Sequence, residues 1–243
     1  MSTPSIKLPF WGTILTMIGV IVLCSLGTWQ VQRLHWKEGL LSEIDQAYQI
    51  DINKKLIGSN ELLQAYDENR LVLRGTVIGS YMLNKTFKLG PRTRDGKQGY
   101  HLYTPLKLLD GGSILVNRGW IAIDTVMPLP PTGTVRVQGL VRKPDEPNKF
   151  TPMNNPGDDE WFEIDFAQIA SVKNIPKLAP YVLYIEGPDT GVQPVPVGQK
   201  PELYNNHKYY AVFWFMMAGL MTIIYSLKFI VGPRRSASRG QSL

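Results

Sequence analysis

The chain has 243 residues, a formal net charge of +6 and a single cysteine. That length suits one folded domain plus membrane segments, and one cysteine excludes a disulfide framework or a CxxC metal or redox pair within the chain. The basic residues form no dense stripe, which argues against nucleic-acid binding; a membrane protein with a basic tail accounts for the charge more simply.

The first basic residue is Lys7, and Leu8 to Gln30 then carries no charge. About 20 apolar residues in helix cover the ~30 Å hydrocarbon core of a bilayer. A secretory signal has a shorter apolar core and an A-x-A-like cleavage site, and Cys24-Ser25-Leu26-Gly27 is not such a site. Leu23 is too large to precede a lipoprotein cysteine. The stretch reads as an uncleaved anchor, and the lack of an Arg- and Ser-rich leader favours a bacterial inner (plasma) membrane. Trp11 and Trp29 stand at its two ends, as interfacial aromatics do. Gly12, Thr16 and Gly19 form a stripe of small residues suited to close helix packing.

Beyond this span, Val31, Leu34, Leu40, Leu41 and Ile44 recur at near-helical spacing, which predicts a helix continuing to about Tyr48. Arg33 and Lys37 fall at i, i+4, placed either for lipid phosphates or as a plain solvated face. A short helix is expected around Glu61 to Tyr66. Strands are expected at 71–78, 81–89, 100–108, 113–123 and 134–142, with Asp110-Gly111-Gly112 as a hairpin turn. A short strand at Phe162 to Ile164, a helix capped by Asp165 and a last strand at 181–186 complete the series. Short strands with Gly/Pro turns predict a mainly antiparallel sheet curled into a barrel or sandwich. Gly187 to Pro201, rich in Pro and Gly, reads as a stiff extended return.

The second apolar run, Tyr209 to Leu227, holds no charge, and Ala211, Ala218 and Thr222 line one of its faces. It is headed by His207, with Asn205 and Asn206 placed to cap the helix start. A first-turn histidine sits at the positive end of the helix dipole, which leaves a neutral nitrogen lone pair available for a metal or a haem iron. The plainer reading is an interfacial polar residue with a hydrogen bond.

The expected architecture is a membrane protein: two transmembrane α-helices, packed as an antiparallel hairpin, flank an extracytoplasmic α+β domain. Its segments are a cytoplasmic tail at 1–9, a span at 10–29, a periplasmic domain at 30–206, a span at 207–230 and a basic cytoplasmic tail at 231–243. Lys228, Arg234, Arg235 and Arg239 follow the second span without an acid, so the positive-inside rule puts both termini in the cytoplasm.

The three histidines, His35, His101 and His207, each stand alone, and there is no HExxH, GxSxG or phosphate-binding glycine loop. Asp158-Asp159-Glu160 reads as a solvated loop before a cation site. Met217 and Met221 share a helix face, but methionine is ordinary filler in an apolar helix and no cysteine pair supports copper.

Compact clusters remain that generic scaffolding does not need. They are Gly27-Thr28-Trp29-Gln30 with Arg33 and Trp36-Lys37; Gly90-Pro91-Arg92 with Gly99-Tyr100; Val116-Asn117-Arg118-Gly119-Trp120; Phe150 to Pro156 with Trp161; and Asn206-His207 with Tyr210-Ala211 and Trp214-Phe215. In this order, between two apolar spans, they resemble the surfeit locus protein 1 family, assembly factors for haem-copper cytochrome c oxidase. The resemblance runs from about Gly27 to Phe215. It implies a non-enzymatic role in supplying haem a during maturation of oxidase subunit I, with haem a synthase as a further partner. A histidine at the head of the second span is implicated in the bacterial members, and it matches His207, with Trp214 two turns on along the same face. Lys208, Lys37 or Arg33 would then meet the haem propionates, and His35 is a conceivable second ligand. Asn117, Arg118 and Trp120, with Arg33 and Lys37, are the candidates for partner contact. A cofactor-free scaffold that steadies an assembly intermediate is the competing reading, and an outward-facing enzyme lacks a visible nucleophile–base pair.

Overall fold

The computed structural model describes residues 9–200 and 204–231. The predicted tails at 1–9 and 231–243 therefore lie, apart from Pro9 and Val231, outside the described residues. The chain divides into two compact units, one taking the chain up to Leu41 and from Glu202 onward, the other Ser42–Pro201.

The first unit is helical. Helix α1 spans Phe10–Gln49, its last turns belonging to the second unit, and helix α4 spans His207–Ser226 before a looser π turn at Leu227–Val231. Both helices are long and apolar enough to cross a membrane. They pack antiparallel: Thr13 meets Tyr225 through their hydroxyls at 2.5 Å near one end, and Gln30 meets His207 near the other. Between these, a side chain at Gly19 would strike Met221 Sδ at 2.9 Å, and one at Gly27 the Phe215 ring at 2.8 Å. Small residues thus let larger ones from α4 sink in. The expected stripe holds at Gly19 and at the buried Ala211 and Ala218. Gly12 instead lies against Pro9, and Gly27 takes the second close contact.

The second unit is a six-stranded mixed sheet. Its strands are β1 (Val72–Tyr81), β2 (Phe87–Arg94), β3 (Lys97–Leu108), β4 (Ser113–Ala122), β5 (Thr134–Arg142) and β6 (Leu178–Ile185), in spatial order β1-β5-β6-β4-β3-β2. Helix α2 (Ser59–Asp67) and helix α3 (Phe166–Val172) complete it. All strand pairs are antiparallel except β4 with β6. Alternation along the strands feeds two cores. Ile114, Val116 and Leu183 join Leu62 and Ala65 of α2 on one face; Leu115, Val182 and Tyr184 join Ile169 of α3 and Trp161 on the other. With both faces covered, β4 is buried along nearly its whole length.

The expected barrel or sandwich needs correction. The domain is one curled sheet and not a closed barrel. The same edge of β3 serves two neighbours: Lys97 to Tyr103 pairs with β2, leaving only Leu106 to Leu108 for Gly79 to Tyr81 of β1. The helices take the place of a second sheet. The expected strand at Phe162 to Ile164 is also absent, because the side-chain oxygen of Asn154 accepts the Phe162 and Glu163 N–H groups at 2.8 and 3.1 Å. The Asp110-Gly111-Gly112 hairpin forms, and Asp165 caps α3 by accepting the Gln168 N–H at 3.0 Å.

The last turns of α1 are bound into the sheet domain. Glu43 accepts the Leu71 and Val72 N–H groups at 2.8 and 3.2 Å, ahead of β1. Arg74 pairs with Glu186 at 2.8 Å, and the Tyr48 ring lies 4.4 Å from the guanidinium. The Pro/Gly-rich return is pinned as well: Val195 and Trp120 exchange both backbone hydrogen bonds at 2.8 Å.

Candidate functional site

Helix α4 begins on an asparagine pair. The Asn205 side chain accepts the His207 N–H at 3.3 Å, while Asn206 contributes its backbone carbonyl to Tyr209 and Tyr210 and no side-chain cap. This fixes His207 in the first turn. Its ring reaches the facing helix, where Nδ1 lies 2.6 Å from Gln30 Oε1. An amide oxygen only accepts, so Nδ1 carries the proton and Nε2 keeps the lone pair. An imidazole whose second nitrogen is held by an outer acceptor is the arrangement found at metal-ligating histidines, where it fixes tautomer and ring orientation.

Gln30, Arg33 and Lys37 follow at i, i+3 and i+7 on one face of α1. Lys37 Nζ donates to the Tyr204 carbonyl, three residues before His207. Arg33 is exposed, with its guanidinium 5.2 Å from the Trp36 ring. Lys208 and His35 are exposed. Trp214 is half-buried two turns along α4 and meets the Phe213 ring edge-on at 5.3 Å. His207, Gln30, Lys37 and Tyr204 are thus brought together. Sequence reasoning assigned Gln30 no role, although its spacing to Arg33 and Lys37 was there to read.

Among the described residues no group of three His, Cys, Asp or Glu side chains could hold a metal ion. A bare ion needs several protein donors, whereas a macrocyclic metal brings four of its own and needs one or two. A lone imidazole with an oriented lone pair, at the head of an apolar helix and next in sequence to Lys208, fits the second case. The acidic run has other partners: Asp159 Oδ1 accepts from Trp161 Nε1 at 2.8 Å and pairs with Lys173.

Asn117, Arg118 and Trp120 lie inside the sheet domain. Asn117 is fully buried; its Nδ2 donates to Tyr103 Oη at 3.1 Å and faces His101 Nδ1 at 3.3 Å, and its Oδ1 accepts the Gly119 N–H at 3.0 Å. Arg118 donates to the Pro128 and Leu129 carbonyls at 2.8 and 3.1 Å. Trp120 Nε1 donates to the Arg92 carbonyl at 2.9 Å. Gly119, at φ +133°, is where the Val195 carbonyl approaches so closely that a Cβ would stand 2.4 Å from it. The cluster welds β4 to the return segment and to the 128–129 loop.

The model of the SURF1 family matches residues 17–219. A SURF1-like protein of Dictyostelium discoideum is 26% identical, the match covering 84% of this chain and 91% of that protein. A SURF1-like protein of Rickettsia felis is 24% identical, over 87% and 94%. The cytochrome oxidase assembly protein SHY1 of Saccharomyces cerevisiae is 32% identical over 51% of this chain and 34% of its own length.

Proposed function

Since the chain belongs to the SURF1 family, we propose that it is a membrane-anchored assembly factor for cytochrome c oxidase that holds haem a at His207 and assists its insertion into subunit I. The similarity to the yeast cytochrome oxidase assembly protein SHY1 supports the oxidase role. The two long apolar helices support the membrane anchor. The reading places the sheet domain on the periplasmic side of a bacterial inner membrane, where subunit I and haem a synthase are within reach.

The observation that carries the cofactor reading is the Gln30–His207 contact, which leaves Nε2 with its lone pair. When bound, haem a supplies the redox iron that the oxidase needs; this chain holds and orients it. His207 Nε2 would donate to the metal, Gln30 would keep the ring in place, and Arg33 and Lys208 would meet carboxylates at the water side. One protein ligand holds the cargo loosely, which suits transfer better than storage. No bond in the cargo is made or broken, so the role is not enzymatic.

The test is absorption spectroscopy of the protein purified in detergent from cells that make haem a, beside His207→Ala. The wild type is expected to carry a haem a spectrum that the variant lacks. If neither carries haem, while both restore oxidase activity to a strain lacking the protein, the chain is a cofactor-free scaffold and the haem reading fails.

A further inference from the structure

The sheet domain contains a cleft of about 520 Å³ on the side of the Trp161 core. Its floor carries three donors from three strands: Arg92 on β2, His101 on β3 and Arg142 on β5. Leu89, Ile164 and Phe150 supply apolar wall.

The donors are only partly used within the protein. Arg142 gives Nη1 to the Lys143 carbonyl at 3.2 Å and to Asp145 at 3.0 Å, and its plane lies 4.3 Å from the Tyr184 ring centre. Its Nε and Nη2 meet no protein acceptor among the described residues. Arg92 gives Nη1 and Nη2 to the Pro91 and Phe162 carbonyls at 3.1 and 3.3 Å and leaves Nε unpaired in the same sense. The Asn117 amide nitrogen faces His101 Nδ1, so Nδ1 accepts and Nε2 carries the ring proton, again without a protein acceptor among the described residues. None of these free donor atoms is sealed from solvent, so each is open to an acceptor-rich occupant.

Carboxylates also line the cleft, and their placement decides its polarity. Asp145, Glu146 and Glu163 are these carboxylates: Asp145, its side chain 89% exposed, and Glu146 are solvated and screened at the mouth, Glu163 is half-buried, and the Arg142 guanidinium, its side chain 28% exposed, stands deeper than Asp145. His101 reports the field at the floor. Burial, then Arg92, Arg142 and Arg94, hold its pKa down to about 4 against the opposing pull of Asp145. The floor is positive.

We infer that this cleft binds a small organic carboxylate, its two oxygens on the Nε–Nη2 edge of Arg142 with Arg92 and the His101 N–H beside them, and its apolar or aromatic body on Leu89, Ile164 and Phe150. The open guanidinium edge is planar and two-pronged, which matches a carboxylate. The apolar wall disfavours a fully hydrated dianion such as free phosphate.

The test titrates the full chain in detergent micelles with benzoate labelled at its carboxyl carbon. Benzamide serves as the uncharged isostere and inorganic phosphate as a charged head without a body. Benzoate is expected to bind saturably and about tenfold or more tighter than either comparator, and Arg142→Gln to lose about tenfold or more of that affinity. Arg92→Gln is expected to weaken it by a smaller factor, and it carries the test if circular dichroism shows Arg142→Gln unfolded. Equal binding of benzoate and benzamide would reveal partition into micelles and overturn the inference. So would phosphate binding as tightly as benzoate, or undiminished binding by the folded variants.

Discussion

Two histidines, each held by a side-chain amide, are prepared for opposite tasks. In the sheet domain His101 Nδ1 faces the amide nitrogen of Asn117, which donates, so the ring presents an N–H on its other side. In the helical unit His207 Nδ1 faces the amide oxygen of Gln30, which accepts, so the ring presents a lone pair. One arrangement suits a hydrogen-bond donor to the proposed anion, the other suits the proposed metal ligand. The amide atom decides, and a histidine with no neighbouring His, Cys or carboxylate in the sequence gives no hint of which it will be.

The largest effect is expected where the His101 side of the comparison is built. Trp120 is 5% exposed, and its indole nitrogen and its backbone both hold neighbouring segments. Trp120→Ala should destabilise the sheet domain by about 3–5 kcal/mol, read as a drop in its thermal midpoint. A shift below about 1 kcal/mol would mean the Asn117–Trp120 cluster does not weld the domain, and that its residues are free to meet a partner.

Acidification tests the donor state of His101. Its folded pKa, about 4, lies below the ordinary value of 6.5 that the unfolded chain has. Between these values the unfolded chain binds the extra proton and the folded one does not. The contribution is therefore complete above pH 6.5 and lost progressively as the pH falls to about 4, by about 2–3 kcal/mol once the partial exposure of the ring is allowed for. Carboxylates titrate in the same window, so the quantity to measure is the difference from His101→Gln, whose side chain can still accept from Asn117. Equal slopes for the two proteins in chemical denaturation between pH 4 and 6.5 would show that His101 is not held neutral.

The regular elements were legible because they rest on local pattern. Local pattern marked five of the six strands near their observed places, Gly111 and Gly112 marked the hairpin, and Asp165 marked a helix start. The strand expected at 81–89 meets β2 only at Phe87 to Leu89, because Leu83–Lys85 forms a tight helical turn instead. Long-range choices were not. Nothing in Leu178–Ile185 says that it lies parallel to β4, and nothing in Lys97–Leu108 says that one edge is divided between two neighbours. Phe162 to Ile164 has a strand's composition, yet Asn154, eight residues earlier, satisfies its N–H groups. The candidate site was half legible. His207 stood out as the polar head of an apolar run, while Gln30, uncharged and at the end of another, stood only as one member of the Gly27–Lys37 cluster with no role of its own. Arg92, His101 and Arg142 belong to three strands and come together only through the sheet order.

The smallest expected effect is the sharpest test of the contrast. Gln30→Leu removes the acceptor for the His207 Nδ1 proton within the helical unit and changes no residue of the sheet domain, whose thermal midpoint should not move. Freed of that bond, the ring divides between its two tautomers, and the long-range nitrogen–proton NMR correlations of His207 should change from a single Nδ1–H pattern to an averaged one. Binding of a metal centre through Nε2 should weaken about 10- to 100-fold, the usual cost of losing an outer partner to a ligating histidine. Gln30→Glu keeps an acceptor in place and should retain the Nδ1–H pattern where Gln30→Leu loses it. If both variants give the wild-type pattern, the orientation of His207 comes from the helix start alone, through Asn205 and the first-turn N–H groups, and the two histidines differ by position rather than by the amide that faces them.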